Sequence, residues 1–210
     1  SQGLARRAGA LLDRTVPRLA EHAVVLTEGT KNTLHALGCR DVSVVAPGVD
    51  FSELDGVAPA VLPEGPWVVY AGNPDAYQDL HILIEAMHSL DGVGLLMVSA
   101  SPLDEWAGKG LPKFKAVQTS DFNEVKRLVA AADVAAIPRM VCSGFPIKLL
   151  NTLGLGVPTV IAEGSARGLP GEVVVPNGDA KAMARFGSED VVHTISPAAA
   201  QHTTQRQPLP

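Results

Sequence analysis

Cysteine is scarce in this 210-residue sequence, and the two present, Cys39 and Cys142, form no CxxC pair and stand at no metal-type spacing to the histidines. Neither a disulfide framework nor a zinc site is indicated. Also missing is any apolar run near the ~20 residues that cross a bilayer. Lysines and arginines are scattered and the formal net charge is −5, which argues against a nucleic-acid surface. No nucleophile triad, paired-carboxylate arrangement or metal cluster stands out. An initiator methionine and a signal-peptide pattern are absent, and the first residues read as a helix in progress, so a piece of a larger protein is expected. What remains is a globular chain of slightly positive mean hydropathy. It is long enough for one substantial core, or for one domain plus parts of another. A soluble protein in a reducing cytoplasm is the default expectation.

The sequence then reads as alternating helices and strands. Residues 3–12 are rich in helix formers, and after Pro17 a strand is expected over 23–27. A short amphipathic helix over 30–37 closes at Gly38, and a second strand over 42–46 ends in the turn 47–50. The stretch 51–66 has no clear period and is broken by Pro59, Pro63 and Pro66, so it reads as a linker. Beyond it the order is regular: strand 67–71, loop 72–75, helix 78–90, strand 93–98, an irregular stretch 101–113, a weaker strand 116–119 and a helix 123–132 capped by Asp121 or Asn123. Strands over 134–137, 159–162 and 172–175 and helices over 146–155 and 179–185 follow, with the loop 163–171 between the last two of these strands. The tail 188–210 is polar and proline-punctuated and is expected to be disordered. This alternation predicts an α/β fold with a doubly wound parallel sheet and right-handed crossovers.

Ligands in such sheets sit beyond the carboxyl ends of the strands. Those ends are Gly72-Asn73, Ser99, Ser120, Pro138-Arg139 and Glu163-Gly164-Ser165; the plain alternative is that loops are simply polar. The organising stretch is 131–159, in which a buried strand delivers a glycine-bearing loop to a helix start. Pro146 suits the first turn, Gly144 lets backbone approach a ligand, and the free N–H groups there attract anions. Lys148 falls in that first turn, where the helix dipole disfavours a cation unless something negative is nearby. A phosphate explains it; a solvated lysine that snorkels away is the alternative.

Three segments, VVYAGNPDAYQDLHILIEAM, ADVAAIPRMVCSGFPIKLLNTLGLGVPTVIA and LPGEVVVPNGD, resemble in order and spacing the C-terminal, donor-binding domain of retaining glycosyltransferases of the GT-B fold, the group 1 or family 4 type. The resemblance covers roughly 23–185. It implies a Rossmann-like domain at 67–187 that binds a nucleoside diphosphate sugar, UDP- or GDP-linked, with 1–50 as a remnant of the acceptor domain and its link. It further implies retaining, metal-independent transfer to a glycan or lipid-linked acceptor, with no cofactor and no nucleic acid. A cytoplasmic place is implied, at the inner face of the membrane if the missing half touches lipid.

The family's usual pair of glutamates matches Ser143 and Asn151, both uncharged but able to hydrogen-bond. Its usual arginine and lysine match Asn73 and Gln78. Arg139 and Lys148 are therefore the expected cations for the diphosphate, with Gly144 and Phe145 supplying N–H groups and Gly72, Asn73, Pro146, Ser143 and Asn151 completing the site. Catalytic residues are not assigned. Alternatives stay open: Asn73 shaping a turn with Pro74, Arg139 paired with Asp121, Phe145 as core, His81 as a surface residue, and Asp50 and Glu53 as turn and linker groups. At the level of function they are a catalytically silent nucleotide- or partner-binding module and a nucleotide-sugar epimerase.

Overall fold

The computed structural model describes residues 2–107 and 109–187; the tail expected at 188–210 lies outside them. The chain forms two compact units, one of residues 2–48 together with Ser143–Phe145, the other of Val49–Cys142 and the chain from Pro146 onward.

In the first unit, helix α1 (Gln2–Leu19) is followed by β1 (Ala23–Val25), α2 (Glu28–Ala36) and β2 (Val42–Val44). The helix expected over 3–12 runs through Pro17. That proline sits in the last turn, where its missing N–H removes a single hydrogen bond and little of the helix remains to be broken. Thr27 caps α2, its hydroxyl oxygen accepting from the Thr30 N–H at 3.1 Å. Gly38 follows the helix at φ 95°, the left-handed position that helix ends give to glycine. β1 and β2 pair in parallel, and Val25, Cys39 and Val42 form the small core.

The second unit is a six-stranded parallel sheet of order β5-β4-β3-β6-β7-β8. Its strands are β3 (Trp67–Ala71), β4 (Gly94–Ser99), β5 (Phe114–Gln118), β6 (Val134–Ile137), β7 (Thr159–Ala162) and β8 (Glu172–Val175). β4, β6 and β7 are buried along their whole length, and β3 along all but its last residue. Near-continuous apolar runs such as VGLLMV and TVIA are what a sheet covered on both faces demands. The edge strands β5 and β8 carry Lys115, Gln118 and Glu172 and are partly exposed, a composition that protects an unpaired edge.

Side chains alternate across the pleat. Val68, Tyr70, Leu95 and Met97 face α3 (Leu80–His88) and α7 (Ala180–Gly187) in one core. Trp67, Val69, Leu96 and Val98 face α5 (Phe122–Ala130) in the other. Helix α6 (Ile147–Gly154) contacts α5 and β7, and the short α4 (Asp104–Ala107) interrupts the stretch expected to be irregular. Helices on both faces make this an α/β, Rossmann-like, doubly wound fold.

The stretch 51–66 lies on this unit. A 3-10 turn at Phe51–Glu53 is capped by Asp50, Leu54 is buried, the Ala60 N–H donates to the Arg127 carbonyl at 2.9 Å, and the Lys126 ammonium donates to the Glu53 carbonyl at 2.9 Å.

Candidate functional site

The chain leaves β3 for β4 and then β5 on one side, and returns to β6 on the other side of β3. The carboxyl ends of β3 and β6 therefore flank the point where the winding reverses, where an open α/β sheet leaves a crevice. A cleft of about 380 Å³ opens beyond the ends of β3, β4 and β5. It is lined by Gly72, Asn73, Ser99, Ala100, Thr119 and Ser120 from the strand ends, by Phe122, Val125, Lys126 and Val129 from α5, and by Lys148, Asn151, Thr152 and Leu155 from α6. Four of the residues expected from the sequence, Gly72, Asn73, Lys148 and Asn151, thus share one cleft.

Lys148 is the second residue of α6, whose N-cap, Pro146, supplies no side-chain oxygen. Its ammonium donates to the Gln78 amide oxygen at 2.9 Å and the Tyr70 hydroxyl at 3.2 Å, and lies 4.5 Å from the Tyr70 ring centroid. Among the described residues no carboxylate comes within ion-pairing distance of it. Burial, and next the nearby Arg139 guanidinium, pull its pKa down from 10.5 to about 8, against a smaller opposing pull from Asp75. A largely buried cation held by neutral groups in the first turn of a helix is chemically suited to receive an anion.

Gly72 makes room for it. The residue sits at φ 145°, and a Cβ there would lie 2.9 Å from the Lys148 ammonium and 3.3 Å from the Tyr70 hydroxyl. Tyr70 is fully buried in β3, and its hydroxyl donates to the Asn73 carbonyl at 2.7 Å. Desolvation raises the phenol pKa, with Asp75 adding to it. The Asn73 amide oxygen accepts from the Ser99 hydroxyl at 3.2 Å, which ties the β3 turn to the end of β4.

Arg139 follows β6 and does not line the cleft. Its Nε donates to the Val141 carbonyl at 2.7 Å, and its guanidinium lies 4.8 Å from the centroid of the exposed Tyr77 ring. Asp121, the alternative partner weighed from the sequence, instead caps α5 through the Asn123 N–H at 2.9 Å. The Arg139 loop is pinned by the Ser165 hydroxyl, which donates to the Arg139 carbonyl at 2.7 Å, and by Asp79, which accepts from the Met140 N–H at 2.9 Å. Ser143, Gly144 and Phe145 group with the first unit, where the Ser143 carbonyl accepts from the Thr30 hydroxyl at 2.7 Å. Among the described residues no cluster of three or more His, Cys, Asp or Glu could hold a metal.

Tyr70 and Gln78, which hold Lys148, and Asp79, which holds the loop after β6, escape a reading of the sequence. Tyr70 sits inside an apolar run and looks like core. Gln78 and Asp79 fall in what reads as the start of one helix over 78–90, whereas the chain forms a 3-10 turn at Ala76–Gln78, then Asp79 in the left-handed region, and only then α3. The one available signal is the position of Gln78, which matches a usual lysine of the family it resembles.

The family model for group 1 glycosyl transferases matches residues 65–186. No curated protein matches the sequence significantly. Among solved structures, sucrose-phosphate synthase from Thermosynechococcus elongatus aligns with a TM-score of 0.71 at 18% identity, over 93% of this chain and 59% of that one. TarM aligns with a TM-score of 0.70 at 14% identity, over 91% and 41%. HepE from Anabaena, solved in complex with UDP-glucose, aligns with a TM-score of 0.63 at 18% identity, over 91% and 68%. The present chain thus spans about half the length of the first two. At these identities the likeness to solved structures is one of fold.

Proposed function

The chain belongs to the group 1 glycosyl transferases, and we propose from that membership that its cleft beyond β3, β4 and β5 holds the nucleoside diphosphate of an activated sugar. The observation that carries this reading is Lys148, largely buried, with no carboxylate at ion-pairing distance among the described residues, and held beside Gly72 by Gln78 and Tyr70. A diphosphate supplies the missing negative charge, and Arg139, on the loop after β6 and outside the cleft lining, is the second cation near Lys148. HepE, of the same fold, was solved with UDP-glucose, and TarM of S. aureus with UDP and alpha-GlcNAc-glycerol; both support a nucleotide-sugar donor and a sugar-bearing acceptor.

In the reaction, the bond between the anomeric carbon and the diphosphate oxygen breaks and a bond to an acceptor hydroxyl forms. The hydroxyl proton leaves with the diphosphate. Charge builds on the departing oxygens, and Lys148, Arg139 and the first N–H groups of α6 stabilise it most at that moment. Protein cations in this role make a divalent metal dispensable. Retention of anomeric configuration, a glycan or lipid-linked acceptor and a cytoplasmic setting complete the proposal. Asn151, in the cleft, offers a hydrogen bond to the ribose.

Thermal unfolding with UDP, GDP and ADP, each with Mg²⁺ and with chelator, tests the reading. A ligand at a hundredfold excess over its Kd adds about 2.7 kcal/mol. One diphosphate is expected to raise the midpoint in both conditions, and Lys148→Ala to remove the rise. No rise with any of the three, from a folded sample, refutes the reading. A module that binds nucleotide without transferring sugar is the second reading, favoured by the neutral side chains at Asn73, Gln78, Ser143 and Asn151; sugar transfer measured in the presence of an acceptor separates the two.

A further inference from the structure

The turn between β3 and α3 reaches both cations at once. The Tyr77 ring lies against the Arg139 guanidinium, the Gln78 amide oxygen takes a hydrogen bond from Lys148, and the Asp79 carboxylate takes one from the backbone N–H of Met140, the residue after Arg139. Among the described residues Asp79 is the one non-glycine at positive φ, with φ 53° and ψ 35°. L-residues enter that region at a cost, and such strain tends to persist where the surroundings put it to use. Asp79 is also the N-cap of α3, the position at which an aspartate ordinarily accepts from its own helix. It makes no such bond. Its carboxylate is turned across the crevice to the loop after β6.

We infer that Asp79 is a positioning residue for the anion-binding cations, its carboxylate fixing the Met140 N–H so that Arg139 is held at a set place near Lys148. The two cations repel each other when no anion lies between them. Neither has a carboxylate partner within ion-pairing distance among the described residues, so backbone and neutral groups must hold them. Ser165 holds the Arg139 carbonyl from one side and Asp79 the following N–H from the other. The inference rests on the reading of the cleft as a diphosphate site.

Inorganic pyrophosphate, titrated calorimetrically into the full 210-residue chain, isolates the cations from base and sugar; UDP and GDP are run beside it. Asp79→Gly keeps the left-handed backbone accessible and removes only the carboxylate, while Asp79→Asn keeps an acceptor oxygen in place. Circular dichroism confirms that each variant is folded. Asp79→Gly is expected to weaken pyrophosphate binding about tenfold and Asp79→Asn less than about threefold, the range set by one well-placed hydrogen bond. In an Arg139→Ala background, Asp79→Gly is expected to change affinity by less than about twofold, because its effect runs through Arg139. Equal binding by wild type and Asp79→Gly overturns the inference and leaves the diphosphate site standing. So does a tenfold loss in both backgrounds, or an asparagine variant as weak as the glycine one. A wild-type chain that binds none of the three ligands overturns both.

Discussion

Lys148 carries its charge at a disadvantage, and this has a measurable sign. Burial first, and Arg139 second, depress its pKa from 10.5 to about 8. The unfolded chain keeps the proton up to 10.5, so between about pH 8 and 10.5 the unfolded state binds more protons than the folded one, and this residue makes stability rise with pH across that window. A bound anion favours the charged form and reverses the shift. Above pH 8 diphosphate binding must therefore take up a proton, since the phosphates themselves, with a second pKa of about 6, are already ionised. The expected outcome is a Kd that is flat from pH 7 to 7.5 and weakens by up to about tenfold per pH unit between 8 and 10. Calorimetry in buffers of different ionisation enthalpy counts the proton directly. Lys148→Met should remove both the slope and the uptake; a slope that survives this substitution would assign it to another group.

Backbone packing between neighbouring loops carries the site at the scale of elements. The loops after β6 and β7 meet so closely at Gly164 that a Cβ there would run into the Met140 carbonyl, while the Gly164 N–H donates to the Asn177 amide oxygen at 3.1 Å. Backbone cannot yield as a flexible side chain does. Gly164→Ala is expected to destabilise the chain by about 1–3 kcal/mol through overpacking, and separately to weaken diphosphate binding because the displaced loop carries Arg139. Urea unfolding and titration read the two effects separately, and a variant neutral in both would show that the loops are free to part. The elements themselves were largely legible. β3, β4, β6 and β7 are continuous apolar runs, and of the two N-caps read for 123–132, Asp121 and Asn123, the chain uses Asp121. β5 was harder to place, observed at Phe114–Gln118 against an expected 116–119, because an edge strand mixes Lys115 and Gln118 with its apolar residues. The site was legible only where the chemistry is local. Lys148 declares itself by being a cation in a helix first turn, whereas the partners that aim it, Tyr70 and Gln78, are contacts across 78 and 70 residues of sequence, and no period encodes them. The left-handed turn at 79 was hidden for another reason: it is occupied by aspartate, and the usual glycine signal is missing.

Over the whole molecule, burial is distributed very unevenly between the two units, and stability should follow it. The second unit packs a six-stranded sheet between helices in two cores, with Tyr70, Leu95, Leu96, Met97 and Ile161 wholly out of contact with water. The first unit rests on Val25, Cys39 and Val42. Its helix α2 buries no residue, Val24 of β1 is 61% exposed, and Leu11, Leu12, Val16 and Leu19 of α1 are each more than half exposed. Two parallel strands are a poor structure by themselves, because parallel sheets owe their stability to cover on both faces and two-stranded sheets are marginal in water. Local opening of β1 and β2 thus exposes little new apolar surface, while opening β3 or β4 exposes most of a core. Amide exchange of the 210-residue chain is expected to show 67–71, 94–99, 134–137 and 159–162 protected up to the global unfolding free energy, and 23–25 and 42–44 exchanging at free energies lower by about 2 kcal/mol or more. Urea at concentrations below the main transition should lower the protection of the first set and leave that of the second nearly unchanged, because small openings expose little surface. Equal protection of both sets would mean that the first unit draws its stability from more than its own three-residue core.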